Sequence, residues 1–396
     1  MALNLIRNSR VFFTTNLDSS NKVASTGFTN TNTSEIQVQD GFSFSQNTGT
    51  ETITLNEAGS APLRGQRSFN TSLDPVDWSF ATYIRPKFDE GSTVVTTPDS
   101  DDYVNAEESV LWNALAGKTE IGGANPGWVA TAGNASGPVP AFSTVGFANS
   151  NVHQLFAFGL IIVFDDVTYV IDNCAVDSAT IDFGLDAIAS IQWAGKGTAI
   201  RSLGKTTIAS SGGAFSGGLT GATAKQKDTT ARYIANKLSY LSLASLNYGG
   251  LSAVTYTVPI TGGSISINNN ITYLTPANLG VVNQPITYFT GTRAISCNVT
   301  AYLKTGTNES STLLANILSA SATSVDNKFN VTLSLGGQAA TTRVDLAMPT
   351  AMLTIPTITS EQVISTAITI NPQADNAGTY SLENTNELTV KYYAAA

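Results

Sequence analysis

Pro259-Ile260-Thr261-Gly262-Gly263-Ser264-Ile265-Ser266-Ile267-Asn268-Asn269-Asn270-Ile271-Thr272-Tyr273-Leu274-Thr275-Pro276 is the stretch that decides the reading of this chain. Ile265 and Ile267 alternate with Ser264, Ser266 and Asn268, the period-2 pattern of a half-buried strand. The Gly262-Gly263 pair reads as a turn before the strand, and the asparagine run after it suits positive φ. The stretch has a shorter relative near the other end of the chain. Phe42-Ser43-Phe44-Ser45-Gln46-Asn47 repeats the pattern, with Phe42 aligned to Ile265 and Phe44 to Ile267.

Working outward, the repetition extends in order along the chain. A strand over residues 6–13 matches one over 234–241. A long polar loop, 52–73, matches 271–293; unstructured loops of that length are uncommon in compact domains and usually serve a function. Trp78-Ser79-Phe80-Ala81-Thr82-Tyr83-Ile84-Arg85 alternates as cleanly as Cys297-Asn298-Val299-Thr300-Ala301-Tyr302-Leu303-Lys304. Each is followed by a short helix. The first spans 106–116, with Val110, Leu111, Ala114 and Leu115 on one face and Glu107 and Glu108 in the first turn, where the helix dipole favours acids. The second spans 310–320, with Leu313, Leu314, Ile317 and Leu318 on one face and Ser310 or Ser311 as N-cap. Strands over 155–164 and 329–335 follow. Then come 179–183 and 351–355, and finally 188–193 and 364–370. Asp165-Asp166 marks a hairpin turn.

Any one match is weak, but a fixed order of matches is the signature of duplication. The chain therefore reads as mainly β in two tandem domains, 1–204 and 231–396. A Gly/Ser-rich linker over 205–230 joins them.

Composition narrows the function. Only 12% of the 396 residues are charged, about half the usual quarter, and Ser, Thr, Asn and Gly fill the gap. Such a surface suits a protein packed against copies of itself. The net charge of −9 is uneven: residues 1–204 hold 21 acids against 10 bases, and residues 205–396 hold 8 against 10. With no basic patch to neutralise phosphates, specific DNA binding is not expected. Cys174 and Cys297 are too few for a disulfide framework or a zinc site and read as small buried hydrophobes. No signal peptide is read at the N-terminus. The longest apolar run, 155–164, is about half of the roughly twenty residues a membrane helix needs. A soluble chain without membrane insertion is the expectation.

Chemistry is sparse. The single histidine, His153, has no second histidine or cysteine pair to hold a metal, and no Gly-x-Ser-x-Gly elbow accompanies it. Leu203-Gly204-Lys205-Thr206 resembles the end of a phosphate-binding loop, but Ala199 stands where the leading glycine belongs. The acids Asp89, Glu90, Asp99, Asp101 and Asp102 lack the spacing of a calcium loop and read as a solvated segment. Neither an enzyme nor a cofactor is expected.

Asn4-Leu5-Ile6-Arg7-Asn8-Ser9-Arg10-Val11-Phe12, Asn56-Glu57-Ala58-Gly59, Ser68-Phe69-Asn70-Thr71-Ser72-Leu73 with Trp78-Ser79-Phe80, and above all the stretch 259–276 resemble the tail-tube proteins of T-five-like siphophages. The resemblance runs nearly the whole length, to about residue 390. It implies two tail-tube domains, each a β-sandwich or barrel with one flanking short helix and a long loop. It implies that three chains close a ring of six pseudo-equivalent domains. Rings stack into a long, flexible, non-contractile tube that carries the genome into the host. The partners it implies are the protein itself, the tail tip and tail terminator proteins, and, inside the lumen, the tape measure protein and then DNA. The family's type member also carries a C-terminal Ig-like domain, which is expected to be absent here. No catalytic residues carry over.

The two long loops are expected to join adjacent rings, with Glu57, Arg64, Arg67, Tyr273, Leu274 and Leu279 as contact candidates. The lumen is expected to be net negative, so that a duplex slides. A carbohydrate-binding or adhesin-type β-sandwich is the other reading, with Trp78, Trp112, Trp128 and Trp193 as sugar platforms. Burial of Trp78 and Trp193 in strands would favour the first reading.

Overall fold

Val76, Trp78, Phe80 and Thr82 are buried while Asp77 and Tyr83 are exposed, so one strand sends every second residue into the core. That alternation builds most of the chain. The structure is a computed structural model and describes residues 9–29, 32–39, 41–53, 67–89, 103–106, 108–117, 128–131, 142–145, 155–164, 167–204, 233–246, 254–321, 328–337, 342–359, 363–374 and 387–393.

In the first half, β1 (Ser9–Thr14), β2 (Thr33–Ile36), β3 (Ser43–Ser45), β4 (Thr48–Ile53), β5 (Arg67–Leu73), β6 (Val76–Tyr83), β7 (Pro86–Asp89) and β8 (Tyr103–Ala106) precede helix α1 (Ser109–Ala116). β9 (Trp128–Thr131), β10 (Phe142–Val145), β11 (Phe158–Phe164), β12 (Val167–Gly184), β13 (Ser190–Gly197) and β14 (Ala199–Gly204) follow it. The second half holds β15 (Tyr240–Ser245), β16 (Thr255–Val258), β17 (Ile260–Asn268), β18 (Ile271–Leu274), β19 (Thr287–Thr290) and β20 (Ala294–Tyr302). Helix α2 (Ser310–Ser321) comes next. It is followed by β21 (Lys328–Leu335), β22 (Arg343–Leu353), β23 (Thr357–Thr359), β24 (Ser365–Pro372) and β25 (Thr389–Tyr393). The fold is mainly β with two short helices. Among the described residues, nineteen strands belong to one antiparallel sheet, while β4–β5, β7–β8 and β18–β19 stand apart as separate pairs. One core cluster runs through both halves and includes Trp112, Trp193, Ile265 and Tyr392.

The pairings recur. In the first half β1 pairs with β2 and β11, β11 with β12, β12 with β13 and β14, β13 with β6, and β6 with β3. In the second half β15 pairs with β16 and β21, β21 with β22, β22 with β24 and β25, β24 with β20, and β20 with β17. Ladder answers ladder in chain order. The ends coincide too: Tyr83 lies opposite Ser190, and Tyr302 opposite Ser365.

Several expectations are corrected. Gly262 and Gly263 are not a turn; both lie inside β17. A Cβ on Gly263 would come within 2.2 Å of the Asn298 carbonyl and 2.8 Å of the Phe183 ring, so the glycine makes room for that ring. The asparagine run does supply positive φ, at Asn270. Phe44 lies opposite Trp78 and Ile265 opposite Cys297, so the ladders align Phe44, not Phe42, with Ile265. A two-residue slip keeps every side chain on its face, so a period-2 pattern is blind to it.

The long loops are hairpins: β4 pairs with β5, and β18 with β19. Their threonine-rich arms favour strand, which the Gly, Pro and polar content of the intervening residues obscured. Helix α1 begins at Ser109, because Ala106 ends β8. It is buried on nearly all sides, not one. Ser310 does not cap α2. Its hydroxyl donates to the Tyr302 carbonyl and accepts from the Lys304 amide, fixing the helix to the end of β20. Phe164 lies opposite Val167 in the β11–β12 pair, and Asp165 and Asp166, where a turn is expected, lie outside the described residues. The 205–230 linker, His153 and the acids Glu90, Asp99, Asp101 and Asp102 lie outside the described residues.

Candidate assembly surfaces

The two halves meet along two ladders, β12–β17 and β10–β25. β12 pairs with β17 from Ser178 opposite Asn268 to Gly184 opposite Gly262. Ile181 faces Ile265 there, and both are fully buried. Asn269 closes the corner after β17. Its amide N–H donates to the Asp177 carbonyl, and its Nδ2 donates to the carbonyls of Leu115 and Val176. The Asp177 carboxylate accepts from the Ile271 N–H at 2.8 Å. The quoted asparagine run is thus the joint between halves. Sequence reasoning saw its turn chemistry and missed that role, since nothing local announces which carbonyls a side-chain amide reaches.

The β18–β19 hairpin leans over the first half. Tyr273 is buried, and its hydroxyl donates to the Asn173 carbonyl at 2.7 Å and lies 3.1 Å from the Lys196 carbonyl. Tyr288 donates to the Leu155 carbonyl. Burial pushes the Tyr288 phenol upward and the Tyr273 phenol well up; the charges of Cys174, Tyr288 and Asp177 reinforce the second shift. Beyond the hairpin arms, the Asn283 amide and carbonyl bond to Thr71 and Leu73. The β4–β5 hairpin, by contrast, is largely exposed.

A second clasp runs through the end of the chain. β25 pairs with β22 on one side and with β10 of the first half on the other. Trp112 of α1 donates from Nε1 to the Tyr392 hydroxyl at 2.8 Å, and that hydroxyl donates to Glu108 at 2.7 Å. Burial, then the Glu108 charge, holds the Tyr392 phenol well above its ordinary value.

The contact candidates fall in different places. Arg67 is exposed on β5, opposite Ile53. Leu274 is exposed on β18, and Leu279 is wholly exposed between the arms. Tyr273 turns inward as described. Glu57 and Arg64 lie outside the described residues. The sugar platforms do not materialise at Trp78, Trp112 and Trp193, all of which are buried. Trp112 and Trp193 pack edge to face, and Trp128 lies on β9. Among the described residues, no helix is long and apolar enough to cross a membrane, and no three His, Cys, Asp or Glu side chains cluster as a metal site.

In this mainly β chain, buried polar bonds are spent on joining its two halves. No family model matches the chain. It is 32% identical over 376 residues to the tail tube protein pb6 of Escherichia phage T5, a match covering 93% of this chain and 72% of that relative. The chain belongs to the phage tail tube proteins, a non-enzymatic family of structural components of the virion tail.

Proposed function

We propose that the chain polymerises into the wall of a long, flexible tail tube as rings of three chains. Each chain contributes two copies of one β domain, 1–204 and 231–396, so that a ring has six pseudo-equivalent positions. The observation that carries this reading is the recurrence of the ladders between the halves, together with the β12–β17 ladder that joins one half to the next. Head-to-tail contacts whose rotation closes give rings. Stacked rings form the channel through which the genome reaches the host, with the tape measure protein and then DNA inside, and with tail tip and terminator proteins at the ends. An acidic first half would line or flank the passage without gripping phosphates. The hairpin ends, with exposed Leu274 and Leu279 in the second half and Arg67 in the first, are the proposed ring-to-ring contacts. Images of the assembled tube test this reading. Three chains per ring are expected, with density from the hairpin ends bridging rings; six chains per ring would overturn it.

A further inference from the structure

Two further sheet edges, one in each half, match those of the internal seam and pair with no strand on their outer side among the described residues. Along β12, Thr180, Ile181 and Asp182 lie opposite Gln192, Ile191 and Ser190 of β13. Along β23, Thr357, Ile358 and Thr359 lie opposite Ala367, Thr366 and Ser365 of β24. Ser190 and Ser365 are the matched partners of Tyr83 and Tyr302, so Ile358 stands where Ile181 does. Ile181 is covered by β17 and 0% exposed, whereas Ile358 is 52% exposed. Among the described residues, β23 pairs only with β24.

The complementary edge is β3. Phe44 lies opposite Trp78 as Ile265 lies opposite the matched Cys297. β17 uses its second edge against β12, but β3 pairs only with β6 among the described residues. Each half thus presents the same two edges. One of each kind is joined inside the chain, and one of each kind is left over.

We propose that β3 of one chain adds to the β23 edge of the next, with Phe44 opposite Ile358, Ser45 opposite Thr357 and Ser43 opposite Thr359. This deepens the ring reading above and rests on it. The register comes from the internal seam, where Ile265, Ser266 and Ser264 face Ile181, Thr180 and Asp182. Exposed sheet edges are templates for another chain, and here the occupant is a second copy of this one. Phe44 and Ile358 would extend the apolar row that Ile265 and Ile181 make inside. The outer seam is the shorter of the two. β3 and β23 have three residues each, and Pro356, just before β23, supplies no N–H.

Residues directly opposite in an antiparallel pair have Cα atoms about 4.5–5.5 Å apart, within disulfide range. The test is the double variant Phe44→Cys with Ile358→Cys in tubes, oxidised mildly and run without reductant. Native Cys174 and Cys297 are buried and give little background. Most of the chain is expected to migrate as covalent multimers ending at a trimer. Neither single variant should cross-link beyond a trace. Tubes assembled from a mixture of the two single variants should give dimers only, which places the bond between chains. Phe42→Cys with Ile358→Cys, two residues out of register, should cross-link at least tenfold less. Tubes in which the Phe44 pair fails, or the Phe42 pair exceeds it, overturn the seam and leave the tube reading standing. Bonded products running past the trimer uphold the seam and overturn the three-chain ring. Should the Phe44 variant not assemble, Ser45→Cys with Thr357→Cys tests the neighbouring rung, and unbonded tubes there overturn the register equally.

Discussion

Helices α1 and α2 follow matching strands, yet one is enclosed and the other is not. In α1 every residue from Val110 to Ala116 is buried. In α2 Leu313 and Ile317 are buried while Ala315 and Leu318 are exposed. The ladders beneath are the same, so the difference lies in what covers them. The second half lends the first its last strand, through Tyr392, and its Asn269 corner. Nothing among the described residues returns that cover to α2. An isolated chain therefore has one finished half and one half with surface left over, as a subunit with neighbours would.

The largest test of that contrast is at Trp112. It is fully buried, stacked edge to face on Trp193 and bonded to Tyr392. Trp112→Ala leaves a large cavity and removes the N–H donated to the Tyr392 hydroxyl, and should cost about 3–5 kcal/mol. Ala315→Gln on exposed α2 should stay within about 0.5 kcal/mol. Denaturant unfolding of the unassembled chain measures both. Equal losses would mean that the helices are equally covered and the contrast is false.

The contrast itself was not legible in the sequence. The alternation of Val76–Tyr83 and Ala294–Tyr302 and the two helices followed from periodicity, because period and burial are local matters; short strands such as β2, β9 and β23 hold too few residues to show a period. Register was lost by two residues at Phe42 and Phe44, where local pattern has no preference. The hairpins were read as loops, because Thr-rich arms around Gly, Pro and polar residues resemble both. The joint at Asn269 and the clasp from Tyr392 to Glu108 depend on partners far away in chain position, 93 and 154 residues for the Asn269 side chain and 284 for Tyr392, and composition carries no trace of them. Of the six contact candidates, sequence could propose polar and apolar side chains near a hairpin. It could not tell that Tyr273 faces in while Leu274 beside it faces out.

That inward turn sets the second test, which compares the hairpins. Tyr273→Phe keeps the packing and removes the hydroxyl from two carbonyls, those of Asn173 and Lys196. A loss of about 1–3 kcal/mol is expected, since a buried acceptor goes unmet. Phe69→Ser on the exposed β4–β5 hairpin should change the unassembled chain by less than about 0.5 kcal/mol. Stability unchanged in Tyr273→Phe would mean that its hydroxyl does not anchor β18–β19 to the first half.

The smallest effect concerns the two thiols, one in each half. Cys174 is buried on β12, and its thiol donates to the Ile171 carbonyl. Burial raises its pKa well above the ordinary value, against a lowering by the Leu160 backbone, and the Asp172 charge adds to the rise. Cys297 is buried on β20 between Ile265 and Ile370, and burial pushes it up to about 12. An unfolded thiol ionises near pH 8.5, so above that pH the unfolded chain releases a proton that the native chain keeps. Stability is therefore whole below the unfolded value and falls as pH rises toward about 12. Cys297→Ala lowers stability at neutral pH by its cavity but should also remove one proton from the alkaline slope. Cys174→Ala should do the same, because burial governs both halves alike here. Unfolding midpoints between about pH 9 and pH 10.5, compared as slopes, isolate the proton from the cavity. A slope unchanged in one variant alone would show that its thiol ionises in the native chain, and that the half around it is open to water.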